Sequence, residues 1–426
     1  MTWWTPRLPA GGLWRHPAFR RLWAAHSVSQ LGTSVTTLAL PLIAVVTLRA
    51  TPFQVGMLAA AGTMPLLAIG LLAGVWVDRR PRRPVMIAAD FGRAALLLLI
   101  PLAAWAGLLR IELLYAVALL TGVLTVFFDV ASQSFVATIL DRTQLVDGAS
   151  KLQTSYAAAD VAGPGLAGAL VQVATAPVAI VVDAVSFLVS ALLLRGIAAV
   201  ETSPEPPVPG RSIWREIGEG LRIVVSQPVL RTLAASTGVW NLFENARWAL
   251  LVLFMTRDLG LGPGAIGAVF AAGSSGFLIG TLLPARMARR FGLGRAITGG
   301  IAGVFPGGLL IAATTGPPVV AGVLVAAGMF VEGITGPTYD VNQFGLRQAV
   351  TPERVRGRVN ASLRVMIRGT VPLGALLGGV LAEAIGLRPV VALAALGPPA
   401  ALALVWWSPV RSLREMPERV EAQVAA

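Results

Sequence analysis

Clusters of arginine alternate along this chain with long apolar runs that carry almost no charge, and this alternation constrains the fold more than any other feature. A helix that crosses a bilayer needs roughly 20 apolar residues. Cutting the sequence at its apolar runs gives twelve such segments, which are 22–48, 53–77, 85–108, 112–140, 148–174, 177–197, 230–256, 263–286, 295–315, 318–346, 357–384 and 387–408.

The basic residues predict which way the chain crosses the membrane. If successive loops lie on opposite sides, one side receives 26 of the 34 lysines and arginines, and we call it the Arg-rich side. The other, Arg-poor side holds only Arg49, Arg110, Arg257 and Arg388. Loops rich in Lys and Arg stay in the cytoplasm. We therefore expect a multi-pass protein of the cell membrane with both termini cytoplasmic.

Composition excludes several classes of site and partner. The chain is 55% hydrophobic and 13% charged, whereas soluble proteins carry about 25% charged residues. It has no cysteine and only two histidines, so we expect no metal site and no cofactor. The net charge of +13 is concentrated at helix ends, which favours contact with anionic lipid headgroups over binding of nucleic acid. No obligate protein partner is evident.

One proline-rich segment divides the chain. Residues 201–210 contain four prolines, so this stretch is not expected to be helical. We predict an amino-terminal six-helix bundle over 1–197, a cytoplasmic linker over 198–222 and a carboxy-terminal six-helix bundle over 223–426. Phe128-Asp129-Val130 recurs as Tyr339-Asp340-Val341, 211 residues later, which indicates that the halves are repeats. Repeats of this kind are typical of transporters with a ligand site between the halves.

A charged motif closes the second helix, reading Gly74-Val-Trp-Val-Asp78-Arg79-Arg80-Pro81-Arg82-Arg83. It resembles the cytoplasmic signature of the major facilitator superfamily, with Pro81 where glycine is common. The resemblance implies an all-α integral membrane protein of twelve helices in two pseudo-symmetric bundles. It also implies a cytoplasmic gate, in which the acidic residue couples to the eleventh helix. The residues of this gate are Gly74, Asp78, Arg79, Arg82 and Arg83. The alternative is an arginine cluster that only sets topology.

Further segments narrow the resemblance. Residues 347–362, 145–153, 182–187 and 372–379 are similar to segments of the drug, macrolide and siderophore efflux branch, whose members include enterobactin exporters. The similarity extends from about residue 19 to residue 409. It implies export of a small molecule by alternating access, and it says little about which molecule.

A glycine-proline motif in the fifth helix also bears on the direction of transport. Gly163, Pro164 and Gly168 resemble a motif of antiporters in this superfamily, with Ala167 in place of one glycine. Glycines permit close helix approach, and we expect contact with the glycines of the eighth helix. Those glycines are Gly273, Gly276 and Gly280. Ordinary packing of small residues remains the alternative.

Ionisable residues inside the membrane are candidates for proton coupling, since each costs about 2.5–3.5 kcal/mol at a helix centre. The candidates are Glu332, Asp160, Glu244 and Asp129. Glu332 and Asp160 fit best, because neither has an obvious cation in its own helix. Fixed ion pairs are the alternative, especially for Glu244 with Arg247 and for Asp90 with Arg93, both spaced three apart. Arg364, Arg368 and Asp340 can also pair across helices.

Polar and aromatic side chains predict a substrate cavity between the first and seventh helices. Aromatic rings suit flat or cationic ligands. The cavity candidates are Gln30, Thr33, Thr37, Trp240, Asn241, Asn245, Arg247 and Trp248.

These features favour a proton-coupled exporter of drug-like or siderophore-like amphipathic molecules. A lipid or lysophospholipid transporter of the same fold is the first alternative, and an intramembrane enzyme is the second. The sequence contains no zinc-protease motif and no phosphate-binding loop for an ATP-driven pump.

Overall fold

A computed structural model of the protein describes residues 12–141, 143–198 and 213–417, and the secondary structure in these ranges is entirely helical. Arg7, Arg142, Arg211 and Arg419 and residues 199–212 of the expected linker lie outside the described ranges. The helices are α1 (Pro17–Leu42, continued by a π turn over Ile43–Thr47), α2 (Pro52–Val77), α3 (Arg82–Trp105), α4 (Ile111–Ile139), α5 (Leu145–Val173), α6 (Ala176–Arg195), α7 (Ile213–Ser226), α8 (Pro228–Arg257), α9 (Pro263–Gly280), α10 (Pro284–Phe291), α11 (Leu293–Ala313), α12 (Pro318–Val350), α13 (Glu353–Ile385), α14 (Leu387–Ala394) and α15 (Gly397–Trp406).

Twelve membrane spans are formed by these helices. Ten segments in the described part of the chain are long and apolar enough to cross a bilayer, with α14 and α15 together forming one of them. The other two spans are α5 and α8, which have 29 and 30 residues but carry charged side chains in their central turns. The predicted all-helical, twelve-span architecture is confirmed.

The two halves repeat each other closely. Pro17 and Pro52 begin α1 and α2, and Pro228 and Pro263 begin α8 and α9, each 211 residues later. Proline suits the first turn of a helix, because a backbone amide at that position has no hydrogen-bond acceptor within the helix. The first two spans of the two halves therefore start at equivalent positions of the sequence.

Two predicted helices are interrupted. The segment 263–286 is divided into α9, which ends at Gly280, and the short helix α10, which begins at Pro284. The segment 387–408 is broken between Ala394 and Gly397, just before Pro398. In both cases a proline restricts the residue before it and cannot donate a backbone hydrogen bond to the preceding turn. Helix α7 occupies the second part of the segment that the sequence assigns to the linker.

The halves meet along two helix pairs, α2 with α13 and α5 with α9. On the Arg-poor side the contacts are close, because a Cβ atom placed on Gly56 would stand 3.0 Å from the Cα atom of Gly379. Toward the Arg-rich side, a Cβ atom placed on Gly74 of α2 or on Gly357 of α13 would have no atom of a neighbouring helix within 4 Å. The halves therefore touch at the Arg-poor end and leave a cleft that opens toward the Arg-rich side.

Candidate functional site

An ion triad lies in the carboxy-terminal half. The guanidinium Nη2 atom of Arg247 is 2.6 Å from Glu244 Oε1 on the same helix and 2.7 Å from Glu332 Oε2 on α12. The Arg247 side chain is only 2% exposed. The pairing expected from the spacing of Glu244 and Arg247 is present. Glu332 has no obvious cation in its own helix, and its ion-pair partner Arg247 comes from a different helix.

The charge of the triad is unbalanced. Two carboxylates face one guanidinium, so the fully ionised group carries one negative charge. Charges buried in the membrane interior persist only where they pair with one another or reach water. One proton would neutralise the triad without breaking it apart, because either glutamate can stay paired with Arg247.

A cavity of about 330 Å³ lies beside the triad and is lined by helices of the carboxy-terminal half. Glu244 and Glu332 reach its wall, together with Trp240, Asn241 and Trp248. Arg247 lies behind this wall and is not part of the lining. Asn245 is also outside the lining, and its amide nitrogen donates a hydrogen bond to the Asn241 carbonyl oxygen at 2.7 Å.

The residues predicted on α1 belong to a separate polar cluster. Ser34 donates a hydrogen bond to Asp160 Oδ1 at 3.5 Å, and Gln30 also bonds to the Asp160 carboxylate. Thr37 is exposed, and its hydroxyl group donates to the Thr33 carbonyl oxygen at 2.9 Å. Of the residues predicted to line a cavity between the first and seventh helices, Trp240, Asn241 and Trp248 line the cavity in the carboxy-terminal half, and Gln30 lies in the polar cluster of the amino-terminal half.

The other acidic groups differ in their partners. Asp129 and Asp340 are exposed and make no ion pair with any residue that the structure describes. Arg364 and Arg368 are exposed and likewise unpaired in the described part of the chain, so the proposed pairing with Asp340 is absent.

Asp90 and Arg93 form the ion pair that their spacing predicts. Ser190 on α6 donates a hydrogen bond to Asp90 at 2.6 Å. The Arg93 guanidinium also lies 4.3 Å from the ring centre of Phe128 and 4.1 Å from that of Phe187. Both members are buried, and their contacts join α3 to α4 and α6, so this pair is part of the packed interior of the first half.

The motif at the end of α2 faces open space. Asp78 is the C-terminal cap of the helix and has no ion-pair partner in the described residues. Arg83 donates to the carbonyl oxygens of Leu194 and Arg195, which ties the start of α3 to the end of α6. These two bonds join Arg83 to its own half, and no ion pair joins Asp78 to α13 among the residues that the structure describes.

The glycine-proline motif of α5 does contact the predicted helix, α9, but through a different residue. A Cβ atom on Gly168 would stand 2.7 Å from the Cα atom of Gly267. Pro164 contributes its carbonyl oxygen to the same contact, while Gly163 packs against Ser34 of α1. The expected contact with Gly273, Gly276 and Gly280 of α9 is wrong. These three glycines pack against α12 of their own half.

A family comparison identifies the chain. Residues 11–424 match the sequence profile of a family described as transmembrane secretion effector. The protein belongs to this family of major facilitator superfamily transporters. The resemblance inferred from the motifs is thereby confirmed.

Named relatives cover most of the chain. The multidrug efflux pump Tap of Mycolicibacterium fortuitum is 29% identical over 394 residues, which is 88% of this chain and 91% of the relative. Tap of Mycobacterium tuberculosis is 27% identical over 392 residues, 88% of this chain and 89% of the relative. The uncharacterized MFS-type transporter YkuC of Bacillus subtilis is 25% identical over 299 residues, 66% and 67% of the two chains.

Solved structures of low sequence identity share the fold. The nucleoside transporter NupG has a TM-score of 0.76 at 11% identity and covers 91% of this chain and 99% of its own. A bacterial homologue of the iron transporter ferroportin has a TM-score of 0.73 in its inward-facing state and 0.58 in its outward-facing state, at 17% and 18% identity, covering 91% of this chain and 98% of its own. These relatives and structural neighbours are transporters, so the intramembrane-enzyme alternative is excluded.

Proposed function

We propose that this transporter exports drug-like amphipathic molecules from the cytoplasm in exchange for protons. Two of the relatives above are named multidrug efflux pumps, and they align over most of the chain. The Arg-rich side is then cytoplasmic, in keeping with the positive-inside rule. In that orientation the cleft between the halves opens to the compartment from which a drug would be taken.

The observation that carries the proton-coupling proposal is Arg247, buried between Glu244 and Glu332. A buried carboxylate that shares its only cation with a second carboxylate is incompletely compensated, and the low polarity around it favours its neutral form. Proton binding would remove the negative charge of the triad and lower the cost of moving it away from water. Proton release would restore that charge when the site faces the cytoplasm.

Asp160 and Asp129 are secondary candidates in the other half. Asp160 is held by Ser34 and Gln30, which are uncharged, and it makes no ion pair with any residue that the structure describes. Asp129 is exposed and accepts no such hydrogen bonds from any residue that the structure describes. We place the main coupling step at the triad and a supporting role at Asp160.

Alternation between two states requires the cytoplasmic end to close. Gly56, Gly74 and Asp78 are spaced so that they share one face of α2, and Gly56 already packs against α13. Closure would bring Asp78 toward the amino-terminal end of α13, which begins at Glu353. Negative charge near a helix N-terminus is stabilised by about 0.3–1 kcal/mol. We propose that this attraction holds the outward-open state, in accord with the gate that the motif implies.

Transport into inside-out vesicles tests the proposal. The wild-type protein should accumulate a drug-like substrate when an imposed proton gradient is present and lose this accumulation when a protonophore is added. Glu332→Gln leaves the triad neutral, with Arg247 still paired to Glu244, and so imitates the protonated state. This variant should exchange substrate down its gradient but fail to accumulate it against one.

The matched control is Glu112→Gln, which removes a carboxylate in the first turn of α4, away from the triad. Accumulation driven fully by the proton gradient in Glu332→Gln and Glu244→Gln would place coupling elsewhere, and Asp160→Asn is then the next variant. A panel that includes a lysophospholipid examines the alternative substrate class. Transport of the lipid with no transport of any drug would replace drug export by lipid transport.

A further inference from the structure

The hydrogen bonds that join the halves at the Arg-poor end occur as an equivalent pair. The backbone amide of Phe53, at the start of α2, donates to the Glu383 carboxylate of α13 at 3.3 Å. The backbone amide of Gly264, at the start of α9, donates to the side-chain oxygen of Gln172 on α5, also at 3.3 Å. Gly264 follows Phe53 by 211 residues, and Glu383 follows Gln172 by the same interval. Each half therefore caps the first turn of the equivalent helix in the other half. We call these contacts the α2–α13 latch and the α5–α9 latch.

The helix packing beside the two latches is matched as well. A Cβ atom on Gly56 would stand 3.0 Å from the Cα atom of Gly379, and one on Gly267 would stand 2.8 Å from the Cα atom of Gly168. These two glycine pairs are again 211 residues apart in sequence. We call the two packed helix pairs the α2–α13 seam and the α5–α9 seam. Because their backbone packing is equivalent, the groups that form hydrogen bonds across them are what distinguishes the two seams.

The two latches differ in charge. The acceptor of the α2–α13 latch is the carboxylate of Glu383, whereas the acceptor of the α5–α9 latch is the neutral amide of Gln172. A charged acceptor makes a stronger hydrogen bond to a backbone amide than a neutral one. A negative charge is also attracted to the N-terminus of a helix. The α2–α13 latch is therefore the stronger of the two.

Two more hydrogen bonds hold the segment that leads into α2. The Thr51 hydroxyl group donates to the same carboxylate at 3.4 Å, and Arg257, at the end of α8, donates to the Ala50 carbonyl oxygen at 2.7 Å. The residue equivalent to Thr51 in the second half is Gly262, which has no hydroxyl group. The residue equivalent to Arg257 in the first half is Val46, which has no side-chain donor. The repeat therefore lacks the side chains that would form these two bonds at the start of α9.

We propose that the Arg-poor end opens first along the α5–α9 seam, and that the α2–α13 seam parts later and acts as the hinge. The difference arises chiefly from one position of the repeat, where Gln172 stands opposite Glu383. A molecule carried through the protein would then leave beside α5 and α9. The proposal concerns how the halves separate, so it holds for any transported compound or coupling ion.

Spin labels placed across each seam of the purified full-length protein test this order, since the chain has no native cysteine. Val173→Cys with Asp258→Cys spans the α5–α9 seam. Ala384→Cys with Thr47→Cys spans the α2–α13 seam at the equivalent positions, and all four residues are exposed. The fraction of molecules with a long distance should be at least about twofold higher for the α5–α9 pair, as expected from one charge at a helix N-terminus.

Moving the charge between the latches is the sharper test. Glu383→Gln should raise the open fraction at the α2–α13 seam, and Gln172→Glu should lower it at the α5–α9 seam, each by about two- to fivefold. The double variant transfers the charge from one latch to the other. It should lower the ratio of α5–α9 opening to α2–α13 opening by more than either single variant. Glu112→Gln, which removes an exposed acid in the first turn of α4, is the control and should leave both distance distributions unchanged.

Ionic strength separates the effect of charge from that of side-chain shape. Salt screens exposed charges, so high salt should increase opening of the α2–α13 seam in the wild type and of the α5–α9 seam in Gln172→Glu. Equal opening of both seams in the wild type, or distance distributions that the double variant does not alter, would overturn the proposal. Earlier opening of the α2–α13 seam would overturn it as well. If Gln172→Glu does not yield a monodisperse protein, the comparison of the wild type with Glu383→Gln at low and high salt decides the matter.

Discussion

The carboxylate of Glu383, near the end of α13, accepts a hydrogen bond from the backbone amide of Phe53 at 3.3 Å, at the start of α2. It also accepts one from the Thr51 hydroxyl group at 3.4 Å. An acid of one half thus caps the first turn of a helix in the other half, on the Arg-poor side. We propose that Asp78, at the opposite end of α2, does the same for α13 when the Arg-rich side closes.

We predict that Glu383→Gln weakens closure of the Arg-poor end. The neutral amide keeps hydrogen-bonding capacity but loses the attraction between a charge and a helix N-terminus, about 0.3–1 kcal/mol. The population open on the Arg-poor side should therefore rise about two- to fivefold. Because the chain contains no cysteine, spin labels at Leu108→Cys and Thr315→Cys can report the distance between the outer loops. Asp258→Asn serves as a control on the same side, and an unchanged distance distribution in Glu383→Gln would exclude the cap as a closing contact.

Asp78→Asn should have the opposite effect on the equilibrium. In the present state Asp78 has no ion-pair partner in the described residues, so the folded protein should remain in the membrane at normal levels. Transport should fall, because the outward-open state loses its stabilising contact with α13. Initial transport rates and membrane abundance measured together check this. Asp147→Asn, which removes an exposed acid on the same side, should transport normally, and equal rates in the two variants would remove the gate role.

Arg247→Met should destabilise the carboxy-terminal half strongly. Removing one partner from a buried ion pair costs about 3–5 kcal/mol, since the remaining charge is left uncompensated. Here two carboxylates would be left facing each other. A triple variant that adds Glu244→Gln and Glu332→Gln should recover much of the loss. Thermal unfolding of the purified proteins compares the stability of the wild type, the single variant and the triple variant. Arg110→Met, at an exposed position, is the control. An Arg247→Met protein as stable as the wild type would contradict the prediction.

Gly168→Val should prevent the Arg-poor end from closing. The nearest atoms of α9 are backbone atoms of Gly267 and Pro263, each 2.7 Å from the position of an added Cβ, and they cannot rotate away as a side chain can. The same pair of spin labels should show a longer distance. Gly299→Val, at a position with no atom within 4 Å, is the control. A closed distance distribution in Gly168→Val would mean that α5 and α9 can separate without opening the outer end.

The orientation of the chain is tested independently of its activity. A reporter enzyme fused after Ala426 should be active only in the cytoplasm. The prediction follows from the 26 basic residues on one side and does not depend on any substrate. Reporter activity outside the cell would invert both the topology and the proposed direction of transport.

The sequence contained the information for the architecture, because each span is specified locally. A run of about 20 apolar residues must be helical in lipid, since every backbone polar group needs an internal partner. The apolar runs predicted the spans of α1 and α8, although these helices begin earlier than the predicted 22 and 230, at Pro17 and Pro228, and the motif ending at Arg83 indicated the superfamily. Local chemistry also predicted the pairs Glu244 with Arg247 and Asp90 with Arg93, because three residues along a helix bring side chains onto one face.

Only the tertiary structure decided which groups from different helices meet. The pairing of Glu332 with Arg247 spans 85 residues, and no periodicity within one helix reveals it. The same holds for Gly267 as the partner of Gly168, and for a cavity that lies inside one half. The rotation and depth of each helix relative to its neighbours are set by side-chain packing between segments far apart in the chain, so the sequence determined the spans and the packing determined the site.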